Sequence, residues 1–474
     1  MPARATDYLT YHADNARDGW NSGETRITQR KAGGLVKAGD YALDGEVDAQ
    51  PLYRHGVAYV TTENNTLYAI APRRGIVWRQ HFAAPVPAYV GRCFSTEPTI
   101  GIFSTPVIDG DSGTIYLVTY SYDGKRPRFT LHAVSPAGRE LRSTDISADA
   151  GNTFVQRQRA ALLLSGGSIY VAYGGACDRH PETTYGRVLR YDASTFQLQN
   201  TFVTTASPRC HGYHYGTVWG LGFGPAADAG GDVFLATGNG CIDYARITGG
   251  AYSDAVLRLT PDLRLTSVTD SLFAPCTALA DDRHDQEIGS GGVVLVPGAP
   301  YAIAGGKTGT TYVLDRSRLG GFHAACPDDV VSETQTSWGA WGGPVAWRAG
   351  GRAFVAIGGQ GPHGIRTFEL LDSGRLVLRS ESGERLINGG MSMAVTSNGA
   401  NQPSSVVLWA LTRPSSGPID LRAYDPMHLR RPLLSVVAGS WANAGGFASC
   451  TPAIADGYVF VATNRELTVW SLPT

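Results

Sequence analysis

The chain is poor in lysine, in cysteine pairs, in long apolar runs and in net charge, and each shortage removes a class of protein. Only Lys31, Lys37, Lys125 and Lys307 are lysines, so arginine supplies most of the 40 basic residues, which face 41 acidic ones for a net charge of -1. Neither sign forms a long run. A binder of phosphate backbones needs a basic patch, so no nucleic-acid partner is expected. The seven cysteines, Cys93, Cys177, Cys210, Cys241, Cys276, Cys326 and Cys450, contain no CxxC and no adjacent pair, which excludes a zinc knuckle or a c-type haem attachment. No segment approaches 18 uninterrupted apolar residues, and Met1–Asn15 lacks the apolar core of a secretory leader. A soluble chain without a membrane span is expected, periplasmic or secreted if a leader has been removed and cytoplasmic otherwise.

What the chain has in excess is glycine and proline. The 59 glycines and 26 prolines make up about 18% of the 474 residues, against a background of roughly 12%. Helix interiors tolerate neither residue, so a mostly helical fold is excluded. A hydrophobic fraction of 43% with 10% aromatics is enough for a large core, which excludes a disordered chain.

Degenerate repeats organise this composition. Each unit has a short innermost strand, a segment of the type "hydrophobic-Tyr-Val-x-Thr", a strand ending in an "x-Asp" corner, and an outer strand. The first copy, "QPLYRHGVAYVTTENNTLYAIAPRRGIVWRQHF", starts at Gln50, and the last, "CTPAIADGYVFVATNRELTVWSLP", holds only three strands. Pro51 and Pro452 are seven steps apart, about 57 residues each, which suits a four-stranded blade with generous loops. The fold predicted is all-β: an eight-bladed β-propeller of four-stranded antiparallel blades. The missing eighth outer strand is expected from the N-terminal segment 35–43, "LVKAGDYAL", so that the N- and C-terminal strands pair and close the ring without free edges. No linker separates the units, so residues 1–474 are expected to form one propeller domain and a monomer.

A propeller carries chemistry on the loops leading into its innermost strands and between its second and third strands. The loop into the fourth blade, "SPRCHGYHYGTVWG", carries Arg209, His211, Tyr213, His214, Tyr215 and Trp219, and the loop into the fifth, "DDRHDQEIGSGG", carries Asp281, Asp282, His284, Asp285 and Glu287. The inner loops "YGGACDRH", "TGNGCID" and "GGKTGT" add Asp178, His180, Asn239, Asp243 and Lys307. Four of the 11 histidines fall in these segments, all in blades three to five. Exposed loops collect polar residues in any case, so the weight lies on the concentration in three neighbouring blades.

Three stretches carry a resemblance: "GTVWGLGFGPAADAGGDVFLATGNG", "GGKTGTTYVLDRSRLG" and "YGGACDRHPETTYGRVLRYDAST". They resemble the eight-bladed quinoprotein alcohol dehydrogenases and the wider superfamily of PQQ-repeat propellers. That resemblance implies a PQQ- and calcium-dependent dehydrogenase oxidising an alcohol or sugar by hydride transfer to the quinone. It makes Trp219 a platform for the quinone, Lys307 a cationic contact to its oxygens, and Asn239, Asp285 and Asp178 calcium ligands. Asp285, with Asp282 as its neighbour in the loop, becomes the base that takes the alcohol proton. Calcium suits such a site because it prefers hard oxygen ligands and polarises a carbonyl. The family's calcium-binding glutamate falls on Cys177, next to Asp178, and the adjacent cysteine pair of many members is absent.

Two other readings rest on the residues themselves. In the first, His211, Tyr213 and His214 near Arg209 form a cofactor-independent, lyase-like site that abstracts and returns a proton beside a neutralised carboxylate. In the second, the propeller binds or assembles without catalysis. A small molecule or carbohydrate in the central channel is the expected substrate for either enzymatic reading. Cys177 with Cys241, in equivalent inner loops, and Cys210 with Cys276, in successive connections, are the candidate bridges if the protein is exported.

Overall fold

The computed structural model describes residues 7–91, 98–176, 180–414, 416–441 and 450–473. Its strands form eight sheets of four or five strands, each a blade of a closed propeller, as the repeats predict. Blade one shows the unit: Leu52–Arg54 innermost, then Val57–Thr62, Thr66–Ala71 and Gly75–His81, all antiparallel. The second and third strands are buried on both faces because each blade is covered by its two neighbours. Their β-branched and aromatic residues therefore run nearly unbroken, while the outer strand alternates. Tight hairpins link the first two strands; in blade eight Asp456 and Gly457 take φ of 52° and 78°, the left-handed pair that a two-residue hairpin requires.

The chain ends close the ring. Val36–Glu46 pairs antiparallel with Asn464–Ser471 as the outer strand of blade eight, slightly longer than the 35–43 segment read from the sequence. Blades seven and eight share a core that includes Trp409, Leu421, Val459 and Trp470, in which Trp409 is fully buried and donates to Thr396 Oγ1 at 2.9 Å.

A second closure is made by residues 8–24, which circle the inside of the ring. Tyr8 pairs with Tyr53 of blade one, and Leu9 accepts from Ile108 N of blade two. Asn15 donates to Leu164 O of blade three and accepts from Ala227 N of blade four. Ala16, Asp18 and Gly19 accept from Leu295, Ala346 and Val395 of blades five, six and seven, and Asn21 donates to Ile454 O of blade eight. Inside this strap the fully buried Arg17 donates to Thr10 Oγ1, Tyr11 O, Leu162 O and Pro225 O. The strap meets the far ends of the innermost strands, opposite the loops that lead into them.

Blades four and five depart from the plain unit. The innermost strand of blade four is only Ala226–Ala227, and Gly321–Phe322, from the chain beyond blade five's third strand, adds a fifth strand in parallel. Two disulfides tie this region together, Cys210–Cys241 and Cys276–Cys326. These correct both candidate pairings from the sequence: Cys241 bridges to Cys210, and Cys276 to Cys326. Equivalent position in neighbouring repeats is a weaker guide than the path of one blade's own loops. Cys177 lies outside the described residues.

Candidate functional site

Four residues that the sequence singled out come from four separate loops and meet at one place. Trp219 precedes the short helical turn Gly220–Gly222 in the connection into blade four. Two close approaches seat its indole: a Cβ on Gly174 would lie 3.1 Å from Trp219 Cβ, and one on Gly238 3.1 Å from Trp219 Nε1. Lys307 Nζ stands 5.7 Å from the centroid of that ring and Arg159 Cζ 5.6 Å from it, both within cation–π range.

Asp285 follows the helix Ala278–Arg283 and takes a left-handed φ of 57°, which turns the chain out of the helix. Its Oδ1 accepts from Lys307 Nζ at 2.6 Å and from Asn239 Nδ2 at 3.2 Å. Both contacts fall on one oxygen, so Oδ2 carries neither. Asp282 sits one turn earlier, and its Oδ1 accepts the Gly240 amide at 2.5 Å. Burial raises its pKa, with the Gly240 bond opposing. Asp282 thus holds the backbone beside Asn239.

Below this layer lie two acids that the sequence did not assign. Glu287 is fully buried; its Oε2 is 3.0 Å from Lys307 Nζ, and Ser290 Oγ donates to its Oε1 at 2.9 Å. Burial pushes its carboxyl up, and Lys307 offsets only part of that rise. For Lys307, burial lowers the pKa, but Glu287 and Asp285 outweigh it and keep the ammonium above the ordinary lysine value. Asp254 is fully buried as well: its Oδ1 accepts the Ile288 amide at 2.7 Å, Oδ2 has no hydrogen-bond partner among the described residues, and burial pushes the carboxyl up to about 7. Glu287 was visible in the "DDRHDQE" loop, two residues from Asp285. Its depth, like that of Asp254, depends on packing across blades that spacing does not encode.

The histidine group is arranged differently. His211 is exposed at φ 46° after the turn Pro208–Cys210. The ring of Tyr213 meets Tyr215 edge to face at 5.5 Å. His214 stacks on Tyr185 at 4.2 Å with Nδ1 3.3 Å from the Thr205 carbonyl, while Arg209 lies 3.7 Å from the buried Asp243. The arginine that a lyase would need for a substrate carboxylate is therefore already beside an acid of its own.

The donor set separates the two groups that the resemblance implied. A flat indole with two cations over it fits a planar, anionic quinone. For calcium, Asn239 and Asp285 are hard oxygen donors, but no cluster of three or more His, Cys, Asp or Glu that could hold a metal ion occurs among the described residues, and Asp178 lies outside them. Six to eight oxygens are the usual requirement, and these two donors fall short of it. No helix among the described residues is long and apolar enough to cross a membrane.

The sequence matches no family model and no curated protein. Among solved structures, the quinohemoprotein alcohol dehydrogenase ADHIIG from Pseudomonas putida HK5 is similar with a TM-score of 0.69 at 15% identity, over 98% of this chain and 80% of that one. The quinohemoprotein alcohol dehydrogenase from Comamonas testosteroni gives 0.66 at 15% identity with the same coverage. A europium-containing methanol dehydrogenase gives 0.65 at 14% identity over 98% of both chains. At such identities the likeness speaks for the fold alone, that of an eight-bladed β-propeller.

Proposed function

We propose that the chain is a quinone-dependent dehydrogenase that oxidises an alcohol or sugar in its central channel. The observation that carries this reading is the meeting of Trp219, Asn239, Asp285 and Lys307 from separate loops of blades four and five. When bound, PQQ would accept the hydride from the substrate carbon. Trp219 offers the stacking face, and Lys307 with Arg159 supplies positive charge for its oxygens. Asp285 is the proton acceptor: Lys307 and Asn239 fix its Oδ1, and Oδ2 takes the hydroxyl proton of the substrate. Asp282 holds the Asn239 loop through Gly240. The two disulfides support an extracytoplasmic setting. Of the alternatives, the lyase reading is disfavoured by the pairing of Arg209 with Asp243.

Reconstitution tests the proposal. Purified protein titrated with PQQ, with and without calcium, is expected to show saturable quenching of tryptophan fluorescence and alcohol- or aldose-dependent dye reduction. Trp219→Ala should weaken binding, and Asp285→Asn should retain PQQ while turnover falls by about 10²–10⁴-fold. Folded protein that binds no PQQ would reject the dehydrogenase and leave a binding or assembly propeller.

A further inference from the structure

Lys307 stands over the Trp219 indole, and the buried acid Glu287 lies against its ammonium at 3.0 Å. Its ammonium has three rotatable donors on a flexible stem and is strongly hydrated, so a lysine does not by itself keep a fixed position over an aromatic face. Here two carboxylates fix it from different depths: Asp285, whose side chain is 63% exposed, at 2.6 Å, and Glu287, 1% exposed, at 3.0 Å. The exposed partner meets the lysine at the solvent side of the site. The buried one is held in turn, because Ser290 Oγ donates to its other oxygen at 2.9 Å and the Lys307 amide donates to its carbonyl at 3.2 Å. Glu287 therefore grips the lysine at both ends, by backbone and by side chain.

We infer that Glu287 is a positioning residue that anchors the Lys307 ammonium over the Trp219 indole, so that Lys307 in turn presents Asp285 with one oxygen fixed and the other turned to substrate. The buried carboxylate is then the fixed point of a chain running Ser290, Glu287, Lys307, Asp285, Asn239. Its role in catalysis rests on the dehydrogenase reading above; its hold on Lys307 does not. Replacing it removes the anchor while every group named as touching quinone or substrate stays in the chain.

The scarcity of lysine makes the anchor measurable without activity. Lys31, Lys37 and Lys125 are exposed, and Lys307 is the one inner lysine, so labelling by an amine-directed reagent, read peptide by peptide by mass spectrometry, gives an internal comparison of all four. In the wild-type protein Lys307 should be labelled far more slowly than Lys31 and Lys125. Glu287→Gln keeps the shape and should raise Lys307 labelling severalfold with the other three unchanged, and Glu287→Asp should restore part of the protection. If Glu287→Gln fails to fold, Ser290→Ala, which frees one oxygen of Glu287, should give a smaller rise in the same direction. Unchanged Lys307 labelling in folded variants would overturn the anchor. With PQQ added, the expected result in Glu287→Gln is a lower kcat with KM for the alcohol little changed, whereas a purely structural loss would lower the melting temperature and label all four lysines alike. Protein that shows the labelling change but binds no PQQ would keep the anchor and discard the dehydrogenase.

Discussion

Blades seven and eight and blades four and five solve the same packing problem with different means. In blade seven the strands run five to eight residues, from Ser392–Thr396 to Leu434–Trp441, and the last strand of the chain, Asn464–Ser471, runs eight. Their cohesion comes from ladder hydrogen bonds and from buried indoles. Blade four has strands of two, four, four and three residues, and its chain is spent on the connections that carry Trp219 and Asn239 and lead on to Asp285. What short strands cannot supply there comes from disulfides, from the added strand Gly321–Phe322, and from buried acids that hold loop amides. The difference teaches that site-building and ring-building compete for the same residues, and that cross-links let one sector give up strand length.

The largest effect should come from the sector without cross-links. Trp409→Ala empties a fully buried site and is expected to cost about 3–5 kcal/mol, seen as a lower midpoint in denaturant. Slow labelling of Lys307 should persist under native conditions, because the two sectors are far apart in the ring. Loss of Lys307 protection in that variant would mean that the sectors are not separable. Next, Cys210→Ser with Cys241→Ser should cost about 2–4 kcal/mol and raise hydrogen exchange at Cys241 and Gly240, whose amides bond His214 O and Asp282. A fall in stability without local exchange would assign the bridge to the ring rather than to the Asn239 loop.

The smallest effect concerns the strap that both sectors share. His12 is fully buried against Tyr11 and Phe223, and burial lowers its pKa from 6.5 to about 3. The unfolded chain then takes the proton first, so stability is whole above 6.5 and declines as pH falls toward 3, by about 2 kcal/mol at pH 5. His12→Phe, which keeps the ring, should flatten that part of the pH profile. An unchanged profile would move the acid sensitivity to another group.

Local periodicity made the ring legible. The repeat spacing and the alternation of Leu35–Leu43 pointed to eight blades and to closure by the chain ends, because strand pairing leaves a regular trace in sequence. The loops holding Asp285, Asn239, Lys307 and Trp219 were legible as unusual concentrations of polar and aromatic residues. What stayed hidden depended on distant partners. Glu287 and Asp254 differ from their surface neighbours only in depth, Arg159 reaches Trp219 from blade three, and the disulfide partners are set by loop paths. The strap left no pattern because each of its residues satisfies a different strand, so no period of two or of 3.6 arises.

That strap also fixes an order of events. Residues 8–24 are synthesised before any blade, yet their last partners, Ile454 and Gly457, come more than 400 residues later. At roughly 5–20 residues per second, that interval is on the order of 20–90 s, during which the segment has only part of its binding site. The first-made piece of the propeller therefore cannot settle until blade eight has been made, and its settling ties eight separate sheets into one object.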